Sequence, residues 1–295
     1  MTNDLTSDTT MQGKVVLITG GNAGVGKETA VGLARQGADV VFTARDATRG
    51  ADALADIRAR SGSDTVEVMA LDLSDFASIR SFADTVLSSR DRLDVLVNNA
   101  GLVQQQRAVT SQGFEMTFGV NHVGHVLLTS LLLDRLRASA PARVVVVSSH
   151  AHKHCGGGLD FDDLQSEDSY KPFQVYGKTK LANIHFTREQ ARRVDPAEVT
   201  VNALHPGFVA SRFGRDGDTG RLGDVAMVLG RPVAISPEKG ARTSIWLASS
   251  PDVAGTTGGY FYRGKPSTPS KLAQDDEIAR RLWTATDDLV AGAGS

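Results

Sequence analysis

The sequence predicts an α/β fold, a doubly wound parallel sheet of about seven strands with helices on both faces. Two observations predict it. Short runs of β-branched residues recur along the chain, and helical patterns fill the intervals between them. A glycine-rich turn joins the first run to the first helical pattern. Runs that are continuous rather than alternating belong to strands buried on both faces. Their alternation with helices implies right-handed βαβ units.

The elements follow in order. "KVVLIT" (14–19) is the first strand, and "GKETAVGLARQG" (26–37) the first helix, closed by Gly37 as a glycine C-cap closes one. "ADVVFTA" (38–44) and "VEVMAL" (66–71) are the next strands, and "FASIRSFADTVLSS" (76–89) is helical. "LDVLVNN" (93–99), "ARVVVVSS" (142–149), "VTVNALH" (199–205) and "GGYFYRG" (258–264) complete the sheet. The stretch 212–234 holds five glycines and mixed charge, and reads as a loop or lid. "DDEIARRLWTATDDLVAG" (275–292) is a terminal helix with Asp at its start. The expected organisation is a tip without structure at 1–11 and one domain over 12–295, with a substrate loop at about 208–235.

Composition bounds the function. The 295 residues are 41% hydrophobic and 22% charged, an ordinary globular balance. A formal net charge of −2 gives no basic surface for nucleic acid or an anionic membrane. One cysteine allows no internal disulfide and fits a reducing compartment. "MTNDLTSDTT" lacks the basic start and apolar stretch of a signal peptide, and "VLLTSLLL" (126–133) is too short to span a bilayer. A soluble, cytoplasmic protein without a membrane span is expected.

"ITGGNAGVGKETA" (18–30) follows the first strand and opens the first helix. Such a turn aims backbone N–H groups and a helix N-terminus at an anion. Gly20, Gly24 and Gly26 let the backbone approach a pyrophosphate, with Asn22, Ala23 and Val25 between them. The spacing G-x3-G-x-G departs from the G-x-G-x-x-G of the common dinucleotide fingerprint, and a plain structural turn remains an alternative. At the end of the second strand an acidic residue would bind a ribose hydroxyl, whereas an Arg accommodates a 2′-phosphate. Ala44 and Arg45 stand there, which favours NADP(H) over NAD(H). The alternative is a solvated surface Arg.

Four further stretches accompany that turn: "NNAG" (98–101), Asn121 in "FGVNHVGH", "SS" (148–149) and "YGKTK" (176–180), together with "HPGFVAS" (205–211). In this order the set resembles the short-chain dehydrogenase/reductase family, over about 13–290. "TGGNAGVGKETA", "ARD" and "LANIHFTREQARRV" resemble its retinol-dehydrogenase-like branch. The resemblance implies a Rossmann-type fold and a set of site residues. Gly20, Gly24 and Gly26 take the phosphates, and Asp72 and Leu73 hold adenine. Asn99, Ala100 and Gly101 pass beside the ribose. Pro206, Gly207 and Val209 border the nicotinamide, and Ser211 lies near its carboxamide. Asn121, Ser149, Tyr176 and Lys180 are the catalytic set, of which Tyr176 and Lys180 also touch the cofactor. Thr179 stands where the family commonly has Ser. The 27 positions from Ser149 to Tyr176 exceed the common family spacing, as they do in that branch.

These residues suit hydride transfer between a nicotinamide and a carbonyl or alcohol. Tyr176 and Lys180, four apart on a helix, share one face. A nearby ammonium favours tyrosinate, so Tyr176 is the general acid/base. Ser149 donates to the substrate oxygen, and Asn121 holds a water that carries protons from Lys180. The segment "SSHAHKHC" (148–155) has metal-ligating residue types but no standard ligand spacing. No metal is expected. The histidines read as a loop flanking the substrate, with His152 or His154 in reach of a polar group. Phe208, Phe213, Leu222, Met227, Val228 and Leu229 suggest a partly apolar pocket for a lipophilic aldehyde, ketone or alcohol. Two other readings stand beside a carbonyl reductase: a C=C reductase of the same family, and a nucleotide-binding regulatory protein with little turnover. The helices around 114–138 and 173–193 commonly pair across a dyad in relatives, so the resemblance implies a homodimer, with a monomer as the alternative.

Overall fold

The computed structural model describes residues 11–209 and 234–293. Most of the expected loop at 212–234 lies outside the described residues, with Ser211, Phe213, Leu222, Met227, Val228 and Leu229, as do residues 1–10. Met11 belongs to the fold rather than to a tip: it is buried, and its N–H bonds to the Gln36 carbonyl.

Among the described residues, eight strands form one sheet in the order β3-β2-β1-β4-β5-β6-β7-β8. They are β1 (Val15–Ile18), β2 (Asp39–Ala44), β3 (Glu67–Ala70), β4 (Val95–Asn98), β5 (Ala142–Val147), β6 (Val199–Leu204), β7 (Tyr260–Tyr262) and β8 (Lys265–Pro266). All neighbours are parallel except β7 and β8. The sequence reading stopped at β7. β8 is a two-residue return after Arg263 and Gly264, both at positive φ, and is too short to leave a hydrophobic pattern.

Among the described residues, seven helices cover the sheet: α1 (Gly24–Arg35), α2 (Ala47–Ser61), α3 (Phe76–Ser89), α4 (Met116–Ala138), α5 (Pro172–Arg193), α6 (Pro237–Ser249) and α7 (Asp276–Gly292). Adjacent residues of each strand feed opposite faces. Val16 and Ile18 pack with Leu33, Ile57 and Trp246 on the side of α1, α2 and α6. Leu17, Val144 and Val146 pack with Ile79, Leu132, Leu181 and Leu282 on the side of α3, α4, α5 and α7. This two-sided burial is why the strand sequences run apolar without alternation. β3 is the exception: it lies at the edge, and Glu67 and Ala70 are exposed.

Helix α4 is long and apolar enough to cross a membrane by length and composition alone, and 78% of that stretch is buried inside the fold. It contains one wide π turn, Gly119–Val123. Chain order reverses between β1 and β4, and the carboxyl ends of strands at such a point form a ligand crevice.

Candidate active site

The site begins at the turn from β1 to α1. Gly20 and Gly24 take φ of 65° and 53°, which glycine tolerates without strain. A Cβ on Gly26 would lie 2.4 Å from Asn99 Nδ2 and 2.5 Å from the Gly20 carbonyl oxygen. The first turn of α1 has no acidic residue, and its N-cap Ala23 offers no side-chain cap. The helix N-terminus is therefore left for an anion. Asn99 braces the turn from β4, donating from Nδ2 to the carbonyls of Thr19 (2.8 Å) and Gly20 (3.2 Å). This cradle fits a dinucleotide pyrophosphate.

Around it stand the remaining residues that the resemblance implied. Ala44 ends β2 with no carboxylate, and Arg45 is exposed beside it. Asp46 caps α2 by accepting from the Arg49 N–H at 2.8 Å. Asp72 Oδ1 accepts from the Ser74 N–H (2.9 Å) and hydroxyl (2.6 Å). The Leu73 side chain is buried in the core, so contact with an adenine falls to its main chain. Ala100 donates its N–H to Thr19 Oγ1 at 3.0 Å. Pro206 and Gly207 follow β6, with Gly207 at φ 93°. Val209 bridges Ile235 and approaches Gly240 of α6, where Val25 also packs.

The catalytic candidates come together at the carboxyl end of β5. Ser148 is buried and donates its hydroxyl to the Lys180 carbonyl at 2.7 Å. Ser149 is half-buried, and its hydroxyl hydrogen bonds to Tyr176. It also accepts the Ala151 N–H at 3.2 Å. Lys180 Nζ lies 5.5 Å from the Tyr176 ring centre and donates to the Val147 carbonyl at 3.0 Å. Burial pushes the Tyr176 hydroxyl up to about 12, against the lowering pull of its Ser149 bond. Burial also pushes the Lys180 amine down to about 8. Both shifts follow from the cost of a charge in a low-dielectric site.

Asn121 is held through its carboxamide. Its Oδ1 accepts the Leu102 N–H at 2.8 Å, and its Nδ2 donates to the Leu102 carbonyl (2.9 Å) and Thr179 Oγ1 (3.2 Å). The carboxamide is committed to those partners. It still adjoins Lys180: a Cβ on Gly101 would lie 3.3 Å from Asn121 Oδ1 and 3.4 Å from Lys180 Nζ. Thr179 keeps the hydroxyl of the residue it replaces and donates it to the Tyr176 carbonyl at 2.8 Å.

The histidine segment is a 3-10 turn, His150–His154, not an irregular loop. His152 is fully buried and cannot touch a substrate. Its Nδ1 donates to the Ser149 carbonyl at 2.7 Å, and its Nε2 accepts the Ser270 N–H at 3.0 Å. It clamps the turn behind Ser149 to the segment before α7. His150 and His154 are exposed. Sequence reasoning missed His205, whose ring stacks on Tyr262 with centres 4.1 Å apart. It also missed Thr19 and His125, whose partners come from across the sheet. Only the place of Thr19, directly before the glycine turn, could have marked it.

A family model described as short chain dehydrogenase matches residues 14–160. Retinol dehydrogenase 14 of Homo sapiens is 44% identical, covering 95% of this chain and 87% of its own length. The Pseudomonas aeruginosa RhlG/NADP active-site complex is similar in structure, with a TM-score of 0.68 and 28% identity over 90% of this chain and 98% of that one. So is 3-ketoacyl-(acyl-carrier-protein) reductase from Brucella melitensis complexed with NADH, with a TM-score of 0.64 and 25% identity over 85% and 97%.

Proposed function

Since this chain belongs to the short-chain dehydrogenase/reductase family, in its retinol-dehydrogenase-like branch, and is an oxidoreductase acting on CH–OH groups, we propose that it uses NADP(H) on a lipophilic carbonyl or alcohol. The observation that carries the reading is the meeting of Ser149, Tyr176 and Lys180 at the end of β5, beside the open N-terminus of α1. Asn99, Gly20 and the α1 N-terminus would hold the pyrophosphate. Arg45 would face a 2′-phosphate, because Ala44 leaves no carboxylate to repel it. When bound, the nicotinamide supplies or accepts the hydride.

The chain's own residues manage the proton. With its hydroxyl at about 12, Tyr176 is protonated at neutral pH and is a donor to a carbonyl oxygen. Ser149 hydrogen bonds the same oxygen and spreads its developing charge. Lys180, near the Tyr176 ring, stabilises tyrosinate once the proton has left. The rim supports a lipophilic substrate. Phe173 lies one turn before Tyr176 and is 55% exposed, while Phe208 follows the Pro206–Gly207 turn and is 50% exposed.

The test titrates the purified protein with NADPH and with NADH, then screens medium-chain aldehydes and ketones by NADPH consumption. Tighter NADPH binding and turnover lost in Tyr176→Phe, with NADPH binding kept, are the expected results. Tighter NADH binding overturns the cofactor assignment. Wild-type turnover in Tyr176→Phe overturns the general acid. Binding without turnover of any carbonyl favours the regulatory reading.

A further inference from the structure

Buried Thr19 and His125 determine each other's proton positions. Thr19 Oγ1 accepts the N–H groups of Asn99 (2.9 Å) and Ala100 (3.0 Å). Those two bonds use its lone pairs, so its own proton must go elsewhere. The nearer acceptor is His125 Nε2 at 2.9 Å, with the Val97 carbonyl at 3.3 Å. On the other side of the ring, His125 Nδ1 lies 3.2 Å from the Asn121 carbonyl oxygen, which can only accept. Nδ1 therefore carries the imidazole proton and Nε2 is bare. Burial pushes the His125 imidazole down to about 3, and the neighbouring Lys180 and His122 oppose its protonation further, so the ring is neutral and has one N–H to give.

The chain of bonds runs on in one direction. Asn121, inside the π turn, accepts from His125 at its main-chain carbonyl and donates from its side-chain Nδ2 to Thr179 Oγ1. Thr179 donates to the carbonyl of Tyr176. At the other end, Asn99 reaches the carbonyls of Thr19 and Gly20 in the phosphate turn. A sequence of buried hydrogen bonds thus joins the turn that would hold the cofactor to the helix that carries the tyrosine. Within it, His125 has both ring nitrogens engaged, Nε2 with Thr19 beside β1 and Nδ1 with its own helix at Asn121.

We propose that His125 is a positioning residue: through Thr19 it sets the cofactor turn, and through the Asn121 carbonyl it sets the catalytic π turn, so that the two are held in register. This inference rests on the oxidoreductase reading above. π turns inside α-helices are frequent at functional sites, and here the side chain four residues on supplies a donor to a carbonyl of that turn.

The experiment compares His125→Phe, His125→Asn, His125→Gln and Thr19→Val in the full chain. Three quantities are read: the NADPH dissociation constant by fluorescence, kcat and KM on an aldehyde the wild type reduces, and the melting temperature. His125→Phe keeps a ring and removes both bonds. It is expected to weaken NADPH about tenfold and lower kcat about tenfold at unchanged KM. Thr19→Val, which also strips the Asn99 and Ala100 N–H groups of their acceptor, should weaken NADPH at least as much, and the double variant should be no worse than Thr19→Val alone. Asn preserves a donor near the Nδ1 position and should recover kcat more than NADPH affinity. Gln reaches the Nε2 position and should do the reverse. A role in folding alone would lower both in step with melting temperature. Additive losses, or wild-type values in His125→Phe, overturn the proposal. Should the variants not fold, nitrogen NMR of 15N-histidine-labelled wild type decides it. A protonated Nδ1 and bare Nε2 from pH 5 to 8 are expected, and the opposite tautomer or a titration in that range overturns it. If the wild type binds neither NADPH nor NADH, the oxidoreductase reading fails instead, and the tautomer still reports on the chain of bonds.

Discussion

Lys180 shows how a candidate catalytic residue works against the fold that holds it. Its side chain is 3% exposed, its Nζ has the Val147 carbonyl as a partner, and burial lowers its amine from 10.5 to about 8. An ammonium costs free energy there, because the unfolded chain would hydrate it fully. The sign follows from linkage. Between pH 8 and 10.5 the unfolded state holds a proton that the folded state has lost, so stability rises with pH across that window. Below pH 8 the whole penalty is present. Lys180→Met, similar in length and apolar, should therefore stabilise the fold at pH 7, by roughly 1–3 kcal/mol, while turnover falls below detection. Urea unfolding at pH 7 and at pH 10 checks this: the gain should shrink at the higher pH. A Lys180→Met protein less stable than wild type at pH 7 would mean that the ammonium is held by more than its single carbonyl.

At the scale of elements, the β1–α1 turn is where backbone and side chain leave each other least room. Gly26 sits in the first turn of α1, with Asn99 Nδ2 and the Gly20 carbonyl already filling its Cβ position. Gly26→Ala must displace Asn99 and loosen its bonds to Thr19 and Gly20. Overpacking of this kind costs about 1–3 kcal/mol. The expected outcome is a lower melting temperature together with NADPH binding weakened at least tenfold, measured on the same sample; unchanged binding would detach the turn from the cofactor. Such elements were largely open to sequence reading. The period of the apolar residues placed α3 at Phe76–Ser89, and a polar start placed Asp275 as the N-cap of α7. Three of the four catalytic candidates come from helices, Asn121 from α4 and Tyr176 and Lys180 from α5, which meet Ser149 at the carboxyl end of β5. What was hidden depends on contacts distant in sequence. The Asn121 carboxamide is taken by Leu102 and Thr179, and His152 turns inward because the segment winds into a 3-10 turn rather than extending. Leu73 points into the core although its neighbour Asp72 does not. No spacing rule records such choices of side-chain direction.

Across the whole molecule, the same packing buries imidazoles in several places and makes acid the weak side of this fold. His122 lies between Asn183 and Thr286, tying α4 to α5 and α7. His125 joins α4 to β1, His185 is buried on α5, and His205 stacks on Tyr262 at the end of β6. Burial lowers all four from 6.5, to about 4 for His122, His185 and His205 and to about 3 for His125. Each is a base with a depressed folded-state value, so its stabilising neutrality is fully present above pH 6.5. As pH falls from 6.5 towards 4 the unfolded chain takes up protons that the folded chain refuses, and stability falls with it. Each group contributes up to about 1.4 kcal/mol per pH unit in that window. The lowered carboxyls of Asp94, held by Arg92 and Lys14, and of Asp276, held by Arg188 and Arg192, act only at still lower pH. Unfolding should therefore begin near pH 5, before most carboxylates titrate, and should involve both faces of α4 together. Denaturant midpoints between pH 7 and 4.5 measure it. His122→Gln, which keeps a donor and an acceptor between Asn183 and Thr286 without a titrating ring, should flatten the slope by about one group's share. A slope unchanged by that substitution would place the acid sensitivity elsewhere in the fold.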